Sequence, residues 1–178
     1  MTEAHAPAAH RPCPAPALEA RFRVVWREQM RDMPMVHPAL DVAALGFRPW
    51  QGHWLGVLVT PWFMNLWLMP RDVAQWQAIG ERATRCYAFP AGVFEFIGGR
   101  DAVIGDYQAC SLFSPMFAFA DAAAAHATAL AALDALFDPT THNTGEDVPD
   151  AGVRASATDA GAAPPAAMSK RDFLFGRR

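Results

Sequence analysis

The stretch Trp54–Pro70, WLGVLVTPWFMNLWLMP, limits what this chain can become more than any other segment. It carries no charge, and Thr60 and Asn65 are its polar interruptions. A membrane helix is excluded by Pro61, which removes a backbone donor in mid-run and pushes Thr60 out of the α region. Neither side of that proline supplies the ~20 apolar residues needed to cross a bilayer. Two short buried strands, roughly 53–60 and 65–69, fit better, because β-branched and aromatic residues are enriched in both and a Pro-containing turn divides them. Strands this apolar must be covered on both faces, so the flanking chain is expected to pack against them.

That flanking chain reads as one α+β domain of about residues 17–137. A helix is predicted over Ala17–Asp32, with Leu18, Phe22, Val25, Trp26 and Met30 forming an inward stripe. Val42–Trp50 reads as a strand that Gln51–Gly52 turns into the buried pair. Arg71–Ile79 is a short helical candidate, and Arg82–Phe89 a strand ending in the Pro90–Gly92 turn. Gly98–Gly99, between Val93–Ile97 and Ala102–Leu112, is expected to be a hairpin turn. A long helix over Phe119–Phe137, around residue 128, comes next, with Asp121 at its start and Leu130, Leu133, Leu136 and Phe137 facing the sheet. The sum is an antiparallel sheet of five or six strands packed by an N-terminal helix and this long one.

Outside the domain the composition changes. Residues 1–16 are Ala/Pro-rich and expected to be disordered, without the apolar core of an export signal, so the expected location is cytoplasmic. Residues 138–168 read as a flexible linker carrying −4, and residues 169–178, SKRDFLFGRR, as a basic, aromatic tail carrying +3. The whole chain carries −3, too little to point to nucleic acid, and no segment is expected to insert in a membrane. Cys13, Cys86 and Cys110 lack CxxC spacing, and the histidines do not pair as ligands, so no metal or other cofactor is expected.

No catalytic motif stands out: the sequence contains neither HExxH nor GxSxG. Glu95 and Asp106 lie on strands expected to pair, and three readings remain open for them. They can serve acid/base chemistry in a small enzyme or ligand-binding domain, form a negative spot for arginines, or simply face solvent. Trp62, Phe63, Met64, Met116 and Phe117 fall in or beside turns, where core packing and an exposed peptide-binding surface are both open.

Three segments, GFRPWQGHWLGVLVTPWFMNLWLMP (46–70), FPAGVFEFIGG (89–99) and YQACSLFSPMFAFAD (107–121), resemble the signature stretches of [NiFe]-hydrogenase assembly chaperones of the HybE/HupJ type. The resemblance covers roughly residues 22–137. It implies an α+β fold and a cytoplasmic, non-catalytic maturation factor. It also implies a partner, the hydrogenase small-subunit precursor, bound through its twin-arginine signal peptide before export, with other maturation proteins as further partners. A receptor for an arginine pair followed by an apolar run needs carboxylates beside an apolar groove. Glu95 and Asp106 are the candidates for the first, and Trp62, Phe63, Met64, Met116 and Phe117 for the second. A role in iron–sulfur assembly or oxygen protection, through Cys86 or Cys110, is a further reading.

Ser169–Phe175, SKRDFLF, resembles the twin-arginine consensus S-R-R-x-F-L-K, with Lys170, Arg171, Phe173 and Leu174 at the key positions. Three residues come after Phe175, so the motif is expected to act not as an export signal but as a mimic of one, or to be only a basic end.

Overall fold

The computed structural model describes residues 10–141. The linker and tail, residues 142–178, lie outside the described residues, as do residues 1–9. Helix α1 (Ala15–Val25) is followed by strands β1 (Ala43–Trp50), β2 (His53–Val59), β3 (Met64–Pro70), β4 (Thr84–Phe89), β5 (Gly92–Asp101) and β6 (Gly105–Phe113), then helix α2 (Ala122–Ala135). The six strands form one antiparallel sheet in the order β1-β2-β3-β6-β5-β4.

The apolar run becomes the β2–β3 hairpin, paired from His53↔Pro70 to Val59↔Met64. Thr60, its polar interruption, closes the turn while fully buried: its hydroxyl accepts from the Phe63 and Trp62 backbone N–H groups and donates to the Phe63 carbonyl. Alternate residues point to opposite faces, and each face has its own cover. Leu55, Val57, Leu66 and Leu68 pack with Ala125, Ala129, Leu133 and Leu136 of α2. Leu58, Trp67 and Met69 pack on the other side with Leu18, Phe22 and Trp26 from the α1 segment. Phe22 stands edge-on to Phe63 and Trp67, while Tyr107 stacks on Trp67 at 4.2 Å. Burying each such side chain contributes roughly 1.5–3 kcal/mol.

The β1–β2 connection turns at Gln51–Gly52, both at positive φ, as a two-residue hairpin requires. Asp121 caps α2, its carboxylate accepting from the Ala124 N–H at 2.8 Å. At the other end Arg48 donates to the Leu133 carbonyl and lies over the Phe137 ring. The α2 surface that meets the sheet is largely alanine, which permits close approach; Leu130, expected on that surface, is 43% exposed.

Four expectations need correction. The N-terminal helix ends at Val25 and a π-helical turn, Trp26–Met30, completes it. Chain order begins before residue 17: the Arg11 N–H donates to the Arg71 carbonyl, and Trp54 Nε1 donates to the Arg11 carbonyl. The Arg71–Ile79 helix is absent. Asp72 instead holds a single turn, its carboxylate accepting from the Ala74 N–H and its carbonyl from Gln75 and Trp76, after which the chain crosses the sheet. Finally, Gly98–Gly99 is not a turn but the middle of a strand pair, facing Gln108 and Tyr107; the connection lies between Asp101 and Gly105. Neighbours demand the two glycines: a Cβ on Gly98 would meet the Gly80 carbonyl at 2.5 Å, and one on Gly99 would meet the Tyr107 ring at 2.4 Å.

Gly46 sits where β1 slips register against β2, at φ +63°, and a Cβ there would lie 2.5 Å from Leu133 Cδ2. Gly46→Ala therefore combines backbone strain with overpacking against α2, and should destabilise the fold by about 1–3 kcal/mol. An unchanged urea midpoint would show that α2 is not seated on β1 in this way.

Candidate functional site

Most of the apolar residues that the sequence offered for a surface lie inside the molecule. Met64 and Met116 are fully buried and Trp62 is 8% exposed, so all three are core residues. Phe63 is half-buried against Phe22 and Trp62. Of the five, Phe117 alone is exposed, at 56%, tilted against the His37 ring. The turn residues point inward because the Thr60–Phe63 turn tucks beneath Ser114, whose hydroxyl donates to the Trp62 carbonyl.

The carboxylate pair also separates. Asp106 faces Arg100, with which it forms an ion pair at 3.5 Å, while Glu95 faces Cys86. Arg100 lies five positions beyond Glu95 on β5, about 17 Å along the strand and an odd number of steps, so the two acids point to opposite faces. Shared acid/base chemistry between them has no geometry here. Among the described residues, no three His, Cys, Asp or Glu side chains gather as a metal site would require.

A different arrangement emerges from the strand order. Helix α1 covers the β1–β3 side of its face, leaving β5 and β4 open. Three directly opposed pairs populate the open area: Ile97 with Thr84, Glu95 with Cys86, and Val93 with Ala88. Val93, Glu95, Ile97 and Ala88 are exposed, and Thr84 and Cys86 half-buried. One carboxylate thus stands between two exposed β-branched side chains, and β4 is the edge of the sheet. The Tyr107 phenol, over Gly99 on the same face, is pushed up by burial and by the negative charges of Asp101 and Glu81. Asp101 is bound by Arg21 of α1 at 2.9 Å, whereas Glu81 and Glu95 form no ion pair among the described residues.

A second surface has the opposite sign. Trp26, Arg27, Arg31, Met33, Val36 and Pro38 line an open groove of about 450 Å³ at the π-helical end of the α1 segment. Its two arginines repel a cationic ligand, so it does not suit the segment that an acidic spot would attract.

On the α2 face, beneath the loop after Asp72, the side chains form a polar core. Tyr87 donates to Gln108 Oε1 at 2.8 Å, and Gln108 Nε2 donates to the Gln77 carbonyl. His53, at the start of β2, is buried there edge-on to Trp76 and Tyr87. Burial, aided by the Arg85 charge, holds its pKa below the usual value.

The family model described as "[NiFe]-hydrogenase assembly, chaperone, HybE" matches residues 13–176. The chain belongs to this HybE family. Its relatives include a hydrogenase expression/formation protein HupJ of Bradyrhizobium diazoefficiens, 47% identical over 68% of this chain and 70% of that protein. Protein HoxT of Cupriavidus necator is 40% identical over 90% of this chain and 87% of its own length. A Rhodobacter capsulatus relative named "Probable rubredoxin HupJ" is 41% identical over 80% of this chain, which spans only 50% of it. The solution structure of HybE from Escherichia coli shares the fold, with a TM-score of 0.57 and 25% identity over 88% of this chain and 95% of that one. Among the described residues no helix is long and apolar enough to cross a membrane.

The buried His53 gives this HybE-family fold a pH dependence. A histidine whose folded pKa is depressed leaves stability intact above the unfolded value, near 6.5, and erodes it as pH falls below that value toward the folded one. The thermal midpoint should drop between about pH 7.5 and about pH 5.5, and His53→Gln should flatten that drop. Equal slopes in the two proteins would exclude His53 as the titrating group.

Proposed function

We propose that this protein is a non-catalytic, cytoplasmic chaperone that holds the precursor of a [NiFe]-hydrogenase small subunit, through its twin-arginine signal peptide, until assembly permits export. The HybE family match supports the maturation role. The open β5–β4 face supports the mode of binding, and it is the observation that carries this reading. An arginine pair followed by apolar residues needs carboxylate acceptors and adjoining apolar surface. Glu95, flanked by Val93 and Ile97, offers both on one face. Of the residues selected from sequence, Glu95 stays in the proposed site and Phe117 remains an accessible apolar side chain elsewhere. Asp106, occupied by Arg100 on the other face, and the buried Trp62, Met64 and Met116 do not join it.

Binding of this kind is sensitive to charge and salt. A labelled peptide carrying Arg-Arg and an apolar run should bind the full chain and weaken as salt rises, and Glu95→Lys should reduce its affinity about tenfold. Co-purification of the precursor should disappear when its signal segment is removed. Retention of a signal-less precursor would overturn the signal-peptide reading, whereas full affinity in the Glu95→Lys protein would move the site off this face.

A further inference from the structure

The described chain leaves the fold on the α2 face, at the β4–β5 turn that borders the proposed binding row. After α2, Phe137 packs edge-on against Phe89, the last residue of β4. The Ala91 N–H, in the β4–β5 turn, donates to the Leu136 carbonyl at 3.1 Å. Val93, the first exposed residue of the open face, lies two positions beyond Ala91. Residues 142–168 separate Thr141 from Ser169, a 27-residue connection that reaches up to ~90 Å when extended. The open row from Val93 to Ile97 is only about 13 Å long. A connection of that length is long enough to reach around the β4 edge to this row.

Its cargo complements that row. Residues 169–178 contain Lys170, Arg171, Arg177 and Arg178 against one acid, Asp172, for a charge of +3. In an extended segment Arg171, Phe173 and Phe175 share one side at steps of about 6.8 Å, the same step that separates Val93, Glu95 and Ile97 on β5. A guanidinium placed on Glu95 therefore brings the next residue on that side, Phe173, level with an exposed β-branched neighbour. The family match extends to residue 176, so the segment belongs to the matched region and is not an appendage to it.

We infer that Ser169–Phe175 docks on the Val93–Glu95–Ile97 face of its own chain, occupying the site until a precursor's signal segment displaces it. This regulation rests on the binding reading above. Tethering sets the tail's effective concentration in the millimolar range, so even a weak intrinsic contact keeps the face filled. A contact with a dissociation constant of order 0.1 mM would raise the apparent dissociation constant of a competing peptide about tenfold.

The test uses the full chain, comparing Lys170→Glu/Arg171→Glu, Glu95→Lys and the combination by amide chemical shifts and by affinity for the arginine-pair peptide. Reversing the tail charge should shift the amides of residues 84–88 and 93–97 and tighten the peptide about tenfold. Glu95→Lys should shift the same amides, and the combined charge swap should return them toward the wild-type positions. Unmoved amides, a swap that restores nothing, or shifts that vanish on dilution and so report contact between two copies would each overturn the inference. The two proposals fail separately. A peptide bound through Glu95 with no response to tail reversal removes the docked tail alone. A tail-dependent face that takes no arginine-pair peptide removes the signal-binding role and leaves the docked tail in place.

Discussion

The two-sided burial of β2 and β3 is the constraint on which the rest of the architecture depends. A hairpin with large apolar side chains on both faces cannot sit at the surface of a sandwich with one wet side. It needs cover above and below, and the chain supplies one helix to each face. The alanine-rich surface of α2 lets its backbone come close on one side, while Leu18 and Phe22 of α1 meet Trp67 and Leu58 on the other. The arrangement is central in space as well as in sequence, since β1 and β6 shield the two long edges of the hairpin.

Two helices cannot cover six strands, and the shortfall falls unequally. The α2 face is completed by the loop after Asp72, which carries Trp76, Gln77 and Ile79 across the far strands. Among the described residues, the α1 face has no such supplement over β5 and β4. Its exposed side chains are apolar and acidic at once, a combination that a structural surface does not need and a receptor for cationic, apolar chain does. The basic groove at the end of the α1 segment gives the same face of the molecule a second pole of opposite sign.

The order of elements was legible because hydrophobic alternation and turn chemistry are local. Gln51–Gly52 marked a hairpin whose strands pair up to Trp50↔His53, and Asp121 marked a helix start. Legibility ended where meaning depended on distant residues. Gly98–Gly99 looked like a turn because paired glycines usually are; here they leave room for a loop on one face and the Tyr107 ring on the other. Asp72 stopped a helix by capping its own single turn, and Gln108 anchors the loop beyond that turn at Gln77. Trp62, Met64 and Met116 had the composition of a sticky surface, and only the fold of the Thr60 turn shows that they are inside. The site suffered most: the register that separates Glu95 from Asp106 depends on locating the turn between Asp101 and Gly105.

Strand β6 has a consequence during synthesis. It is the last strand to leave the ribosome yet occupies the middle of the sheet, between β3 and β5. A nascent chain that ends before it holds two unfinished halves, β1-β2-β3 and β4-β5, each with a bare inner edge, one of them the largely buried β3. A single late insertion seals both, so a protein that tends the assembly of others passes through its own interval of exposed, unmatched backbone.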